Sequence, residues 1–85
     1  MKEFSYVITD LEGIHARPAG MLIKEAGKFS SSLKITKSGR SADAKKMFAV
    51  MGLAAKKGET VRVIADGPDE DNAIASLKKF FKQYL

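Results

Sequence analysis

Within 85 residues the spacing of apolar side chains switches between a period of two and a period near 3.6, and this switching limits the fold more than any other feature. Phe4, Tyr6 and Ile8 alternate with Ser5, Val7 and Thr9. Leu33 and Ile35 alternate with Lys34 and Thr36, and Val61, Val63 and Ala65 with Thr60, Arg62, Ile64 and Asp66. Each run has the pattern of a half-buried strand. A short further strand is expected over residues 40–44, after a tight turn at Ser38-Gly39. In between, Ala19, Leu22, Ile23, Ala26 and Phe29 predict a helix over residues 16–29, with Arg17, Lys24 and Lys28 off its buried face. Pro18 falls in the first turn, where a missing N–H costs nothing. Residues 47–53 predict one or two helical turns. The last helix opens on Asp69, Glu70 and Asp71 and ends on Lys78, Lys79 and Lys82, charges that suit its dipole. Its buried stripe is expected at Ala73 or Ile74, Leu77, Phe81 and Tyr84.

The order is β-α-β-β-α-β-α. Alternating strands give a sheet with one apolar face, and amphipathic helices have one apolar stripe. The simplest packing is an α+β domain of two layers, with the helices on one face of a mostly antiparallel sheet. The length suits one domain over residues 1–85. A hydrophobic content of 45% is too high for a disordered tail. With no cysteine, neither a disulfide nor a thiolate zinc site can hold the fold, so the core must do so. The N-terminal residues carry charge and alternation where a signal peptide needs an apolar run, and no stretch approaches the length of a membrane helix. A soluble protein of the cytoplasm is expected, without direct membrane insertion.

The chemically informative stretch is Gly13-Ile14-His15-Ala16-Arg17-Pro18-Ala19. The first amides of a helix lack partners within it, and the dipole adds partial positive charge, so such an end binds anions such as phosphate. The only histidine, His15, falls just before the helix, and Arg17 within its first turn. A phosphoryl group on the ring would sit over the amides of Ala16 and Arg17, with the Arg17 guanidinium on its oxygens. Phosphoryl transfer asks little else of a protein than positioning and charge compensation. Neutral imidazole is a good nucleophile near neutral pH, and the dipole is expected to disfavour imidazolium. The bland alternative is a capping or surface histidine. A metal site is not indicated, since one histidine and no cysteine would need carboxylates at ligand spacing. No G-x-S-x-G motif marks a hydrolase.

That stretch resembles the active-site motif of HPr, the family of histidine-containing phosphocarriers of the bacterial sugar phosphotransferase system. The resemblance covers essentially the whole chain: Ser38-Gly39-Arg40 is similar to the second hairpin, Ala44-Lys45 with Met47-Phe48 and Met51-Gly52-Leu53 to the short central helix, and Lys57-Gly58-Glu59 with residues 61–67 to the last strand. It implies an open-faced β-sandwich, four antiparallel strands in the order 1-4-2-3 covered on one face by three helices. It implies a stoichiometric carrier rather than an enzyme in the usual sense, needing no cofactor. His15 would be phosphorylated on Nδ1 by phosphorylated enzyme I, itself charged from phosphoenolpyruvate, and would pass the group to the IIA domains of sugar permeases. Arg17 would stabilise the phosphate, and the chain would act as a monomer.

The resemblance also implies a partner surface of Arg17, Gly20 and Lys24 on the first helix with Met47, Phe48 and Met51. Met47, Val50 and Leu53 also fit ordinary core, the reading favoured for these three, whereas an exposed role suits Phe48 and Met51, because adaptable Met and aromatic groups suit several partners. The net charge of +5 fits acidic partner surfaces, with Lys24, Lys28, Lys45 and Lys46 candidates to flank His15. One departure stands out: where the family commonly has a regulatory serine, at the start of the short helix, this chain has Lys46, a poor N-cap that no kinase can use. Other readings are a carrier of a nitrogen-related or dedicated branch, a regulatory relative that carries no phosphate, and a basic nucleic-acid module. The regulatory relative would be expected to lack His15. Against the nucleic-acid module, the basic residues are scattered and neither an RNP-like motif nor a GxxG loop occurs.

Overall fold

The alternation resolves into β1 (Lys2–Val7), β2 (Ser32–Lys37), β3 (Arg40–Asp43) and β4 (Thr60–Asp66), and the helical periods into α1 (Ala16–Ala26), α2 (Met47–Gly52) and α3 (Glu70–Tyr84). The computed structural model describes residues 1–85. The four strands form one antiparallel sheet in the order β1-β4-β2-β3. Register follows from side-chain parity, since a slip of one residue would turn every apolar residue to the wrong face. Phe4 pairs with Val63, Tyr6 with Val61, Leu33 with Ala65, and Ile35 with both Val63 and Ala42. All of these point toward the helices. The other face carries Ser5, Lys34, Ser41 and Arg62 to solvent, with Thr36 bonded across it to Ser41 at 3.1 Å. One face is open, as the two-layer packing and the family resemblance both required.

The core is a single cluster of 20 buried residues drawn from the sheet and all three helices. Phe81 lies at its centre, fully buried, with the rings of Phe4, Tyr6 and Phe80 meeting it edge-on at 5.7, 5.6 and 6.2 Å. Such edge contacts add to what burial alone contributes.

Several expected boundaries shift. The first helix stops at Ala26, not Phe29. Gly27 is its C-cap, and Lys28 and Phe29 donate only three residues back, to Glu25 and Ala26. Glycine is a poor helix former and the chain unwinds through a tightened turn, yet Phe29 still packs on the core. In α3 the expected stripe holds at Ala73, Leu77 and Phe81, but Tyr84 is exposed and Phe80 takes the core position. Tyr84 lies tilted against Phe80, ring centroids 4.9 Å apart, and shares a surface depression with Pro18 and Met21 of α1. Asp69 occupies the N-cap of α3 but makes no side-chain cap bond to it. Its carboxylate instead accepts the amides of Ser30 and Ser31, each at 2.9 Å, and both serine hydroxyls. The Ser31 hydroxyl, then the Ser30 amide, hold the Asp69 carboxyl down at about 2. This stitch fixes the α1–β2 connection to the head of α3.

Candidate functional site

His15 occupies the N-cap of α1 in extended conformation, φ −89° and ψ −178°, with no side-chain cap bond. Its carbonyl accepts the Ala19 amide at 2.9 Å, which starts the helix. The amides of Ala16 and Arg17 have no backbone partner, and Pro18 has none to offer. Two free N–H groups therefore follow the histidine directly. The imidazole is about one-third exposed, and Arg17 is exposed beside it. Together with Asp10, Pro18, Met21 and Tyr84 they line a shallow depression of about 260 Å³. The depression is open, as a site must be if it meets another protein rather than enclosing a substrate.

The loop before His15 is held from beneath. Ile14 donates its amide to Ala55 at 2.9 Å, and the carbonyl of Leu85 accepts the amides of Thr9 and Asp10 at 2.6 and 2.9 Å. The Thr9 hydroxyl reaches the same carbonyl at 3.0 Å. Gly13 has φ +67°, and a Cβ there would stand 2.1 Å from the Ala55 carbonyl oxygen. Only glycine lets the loop pass this close with that backbone. His15 is thus anchored in its backbone while its ring stays partly exposed.

The helix dipole is not the only field at the ring. Nε2 lies 3.4 Å from Oε2 of Glu12 and 3.9 Å from Oδ1 of Asp10. Residues 10–13 are an expected loop, but nothing in their spacing reveals that a turn folds both carboxylates back onto the histidine. Tyr84 was hidden for another reason, since its place in the apolar period assigns it to the core.

Two of the expected partner residues, one on each of α1 and α2, are brought together. Gly20 and Met47 abut, since a Cβ on Gly20 would meet the Met47 methyl at 4.0 Å. Phe48 is 88% exposed, an extreme value for a large apolar ring. Met47 and Met51 are half-buried, Lys24 is exposed, and Val50 and Leu53 face the core. Not all four expected lysines are available. Lys45 donates to the Phe29 carbonyl at 2.7 Å, and Lys28 pairs with Glu25 at 3.0 Å. The Ser76 hydroxyl, then Lys28, hold the Glu25 carboxyl below the usual range. Lys24 and Lys46 remain without ion pairs. Lys46 gives α2 no side-chain cap, as its chemistry predicts. Asp43 shapes the start of that helix instead, its side chain accepting the Lys45 amide at 2.9 Å and its carbonyl the Lys46 amide at 3.0 Å.

With this site on this sheet order in view, the chain matches a known family model, described as the PTS HPr component phosphorylation site, over residues 2–83. The chain belongs to the HPr family. It is 44% identical over 79 residues to the phosphocarrier protein HPr of Mycoplasma capricolum, a match that covers 93% of this chain and 89% of the relative. Among solved structures, the histidine-containing phosphocarrier protein of a Mycoplasma superposes with a TM-score of 0.94 at 41% identity, covering 96% of this chain and 93% of that one. An HPr dimer from Thermoanaerobacter tengcongensis superposes with a TM-score of 0.78 at 35% identity, covering 98% and 95%. The HPr family comprises phosphocarriers of the phosphotransferase system rather than catalysts in the usual sense. No helix of the chain is long and apolar enough to cross a membrane.

Proposed function

We propose that this HPr chain takes a phosphoryl group onto His15 from phosphorylated enzyme I and hands it to the IIA domains of sugar permeases. The observation that carries the proposal is the pair of unpartnered amides, Ala16 and Arg17, next to an imidazole about one-third exposed and an exposed guanidinium. The ring nitrogen attacks phosphorus, the N–P bond forms, and the bond to the donor's carrier atom breaks with its electron pair left on the donor. The Ala16 and Arg17 amides and the Arg17 guanidinium then neutralise the oxygens of the dianion. Handover reverses these steps, so one open site serves donor and acceptor in turn. The two partners dock on the face made by Gly20, Lys24, Met47, Phe48 and Met51, where the apolar ring of Phe48 is presented and Lys24 offers charge to acidic surfaces. We read residues 1–85 as one domain that works as a monomer in the cytoplasm, without a cofactor and without a regulatory phosphorylation at Lys46.

Incubation with enzyme I and phosphoenolpyruvate, followed by intact mass measurement, tests the proposal. One acid-labile phosphoryl adduct is expected, and His15→Ala is expected to abolish it. An adduct that persists in His15→Ala, or none in the parent protein, overturns the reading.

A further inference from the structure

A neutral imidazole has one N–H and one lone pair, and only the nitrogen with the lone pair can attack phosphorus. Which nitrogen that is depends on what stands near each. At Nε2 stand two carboxylates. The turn that brings them there is closed by the Gly13 amide on the Asp10 carbonyl at 3.0 Å and the Glu12 amide on Asp10 Oδ1 at 2.8 Å. Asp10 Oδ1 is therefore already engaged, and it lies 3.9 Å from Nε2. Glu12 Oε2 is nearer, at 3.4 Å, and its carboxylate has no other bond or ion pair in the protein. A negative oxygen beside Nε2 favours the proton on that atom. The lone pair then falls to Nδ1, the ring nitrogen nearer the main chain of His15, which leads straight into the two unpartnered amides.

We propose that Glu12, seconded by Asp10, is a positioning residue that keeps the imidazole proton on Nε2 and so leaves Nδ1 as the phosphoryl acceptor. This rests on the reading of His15 as the carrier residue. The proton balance is simple. Nδ1 spends its lone pair on the N–P bond, the Nε2 proton stays in place, and the ring carries a formal positive charge that faces the Glu12 carboxylate. When the group leaves, the electron pair returns to Nδ1 and the starting tautomer is restored. No general base has to remove a proton in either direction, which suits a site open to solvent with no other basic group on the ring.

The experiment is nitrogen NMR of the whole protein labelled with ¹⁵N in its one histidine, unphosphorylated and in alkaline solution where an imidazole is neutral. The Nε2–H form is expected to dominate in the parent. Glu12→Ala is expected to raise the ratio of Nδ1–H to Nε2–H by about two- to five-fold, the effect of one exposed charge contact, and Glu12→Gln by less because its amide oxygen can still accept the proton. The Glu12 side chain is 73% exposed, so neither change should disturb folding, and an otherwise unchanged amide spectrum shows this. A tautomer ratio that stays the same in Glu12→Ala overturns the proposal. A parent that holds the Nε2–H tautomer but takes no phosphoryl group from enzyme I overturns the carrier reading instead, and the two failures are told apart by the mass measurement.

Discussion

Gly13→Ala tests how closely the placement of His15 depends on the loop beneath it. At φ +67° an alanine adopts a left-handed backbone, which costs roughly 1–2 kcal/mol. Its Cβ would stand 2.1 Å from the Ala55 carbonyl oxygen, 2.9 Å from Lys56 Cα and 3.1 Å from the Ala55 carbonyl carbon. All three are main-chain atoms, so no flexible side chain can swing away, and the segments must part by roughly 1 Å to reach ordinary contact. That parting breaks the bond from the Ile14 amide to Ala55, between two residues that are 4% and 3% exposed. A buried amide left unpaired costs about 1–3 kcal/mol. The loss is therefore about 2–5 kcal/mol in all. Gly39→Ala is the matched control: its φ is +79° with nothing within 4 Å of the added Cβ, so only the backbone cost of roughly 1–2 kcal/mol applies. Urea unfolding of both variants separates the two contributions, and the rate of phosphorylation by enzyme I should fall for Gly13→Ala and stay at the parent value for Gly39→Ala. Equal destabilisation by the two substitutions, with transfer unimpaired in both, would refute the claim that this close approach sets the position of His15.

Asp69 makes stability depend on acid. Its carboxyl is held at about 2, below the ordinary value of 3.8, so its contribution is fully present above the ordinary value and is lost as pH falls from there through about 2. Thermal melts across that window should show a drop that Asp69→Asn, already destabilised at neutral pH, lacks. Phe81→Ala removes a fully buried ring with three edge-on neighbours and should cost about 3–5 kcal/mol in denaturant titration, a large part of what a domain of this size has. Phe48→Ala, at a site 88% exposed, should change stability by no more than about 0.5 kcal/mol while weakening binding to enzyme I at least several-fold in calorimetry.

The sheet was legible because parity is unforgiving. Each alternating run had one way to face the helices, and the register obeys it at Phe4, Val63, Ile35 and Ala42. The strand order was legible only through the family resemblance, since alternation says nothing about which strand lies beside which. The helix ends were less legible: Gly27 stops α1 three residues early, and Tyr84 keeps the apolar spacing but lies outside Phe80 at the surface. At the site, His15 and Arg17 could be placed because their roles depend on a helix start that Pro18 announces. Glu12 and Asp10 could not, because a turn closed by the Gly13 and Glu12 amides on Asp10 decides where their carboxylates point, and apolar periodicity does not encode turns.

The same loop also explains how an exposed residue can be a reliable carrier. An exposed side chain on a free loop would meet its donor in many orientations, and each productive encounter would require the loop to be ordered. Here the ordering is done beforehand. Ala55 holds the chain at Ile14, the Leu85 carbonyl holds it at Thr9 and Asp10, and Ile8 is tied to the approach to β4, donating its amide to the Glu59 carbonyl at 3.0 Å and accepting the Gly58 amide at 2.9 Å. These anchors come from the central helix's exit, the end of α3 and the approach to β4, so the core that Phe81 centres also fixes the imidazole. Nδ1 of the ring, the two amides and the guanidinium are left free, and those are the groups that must change partners at each transfer.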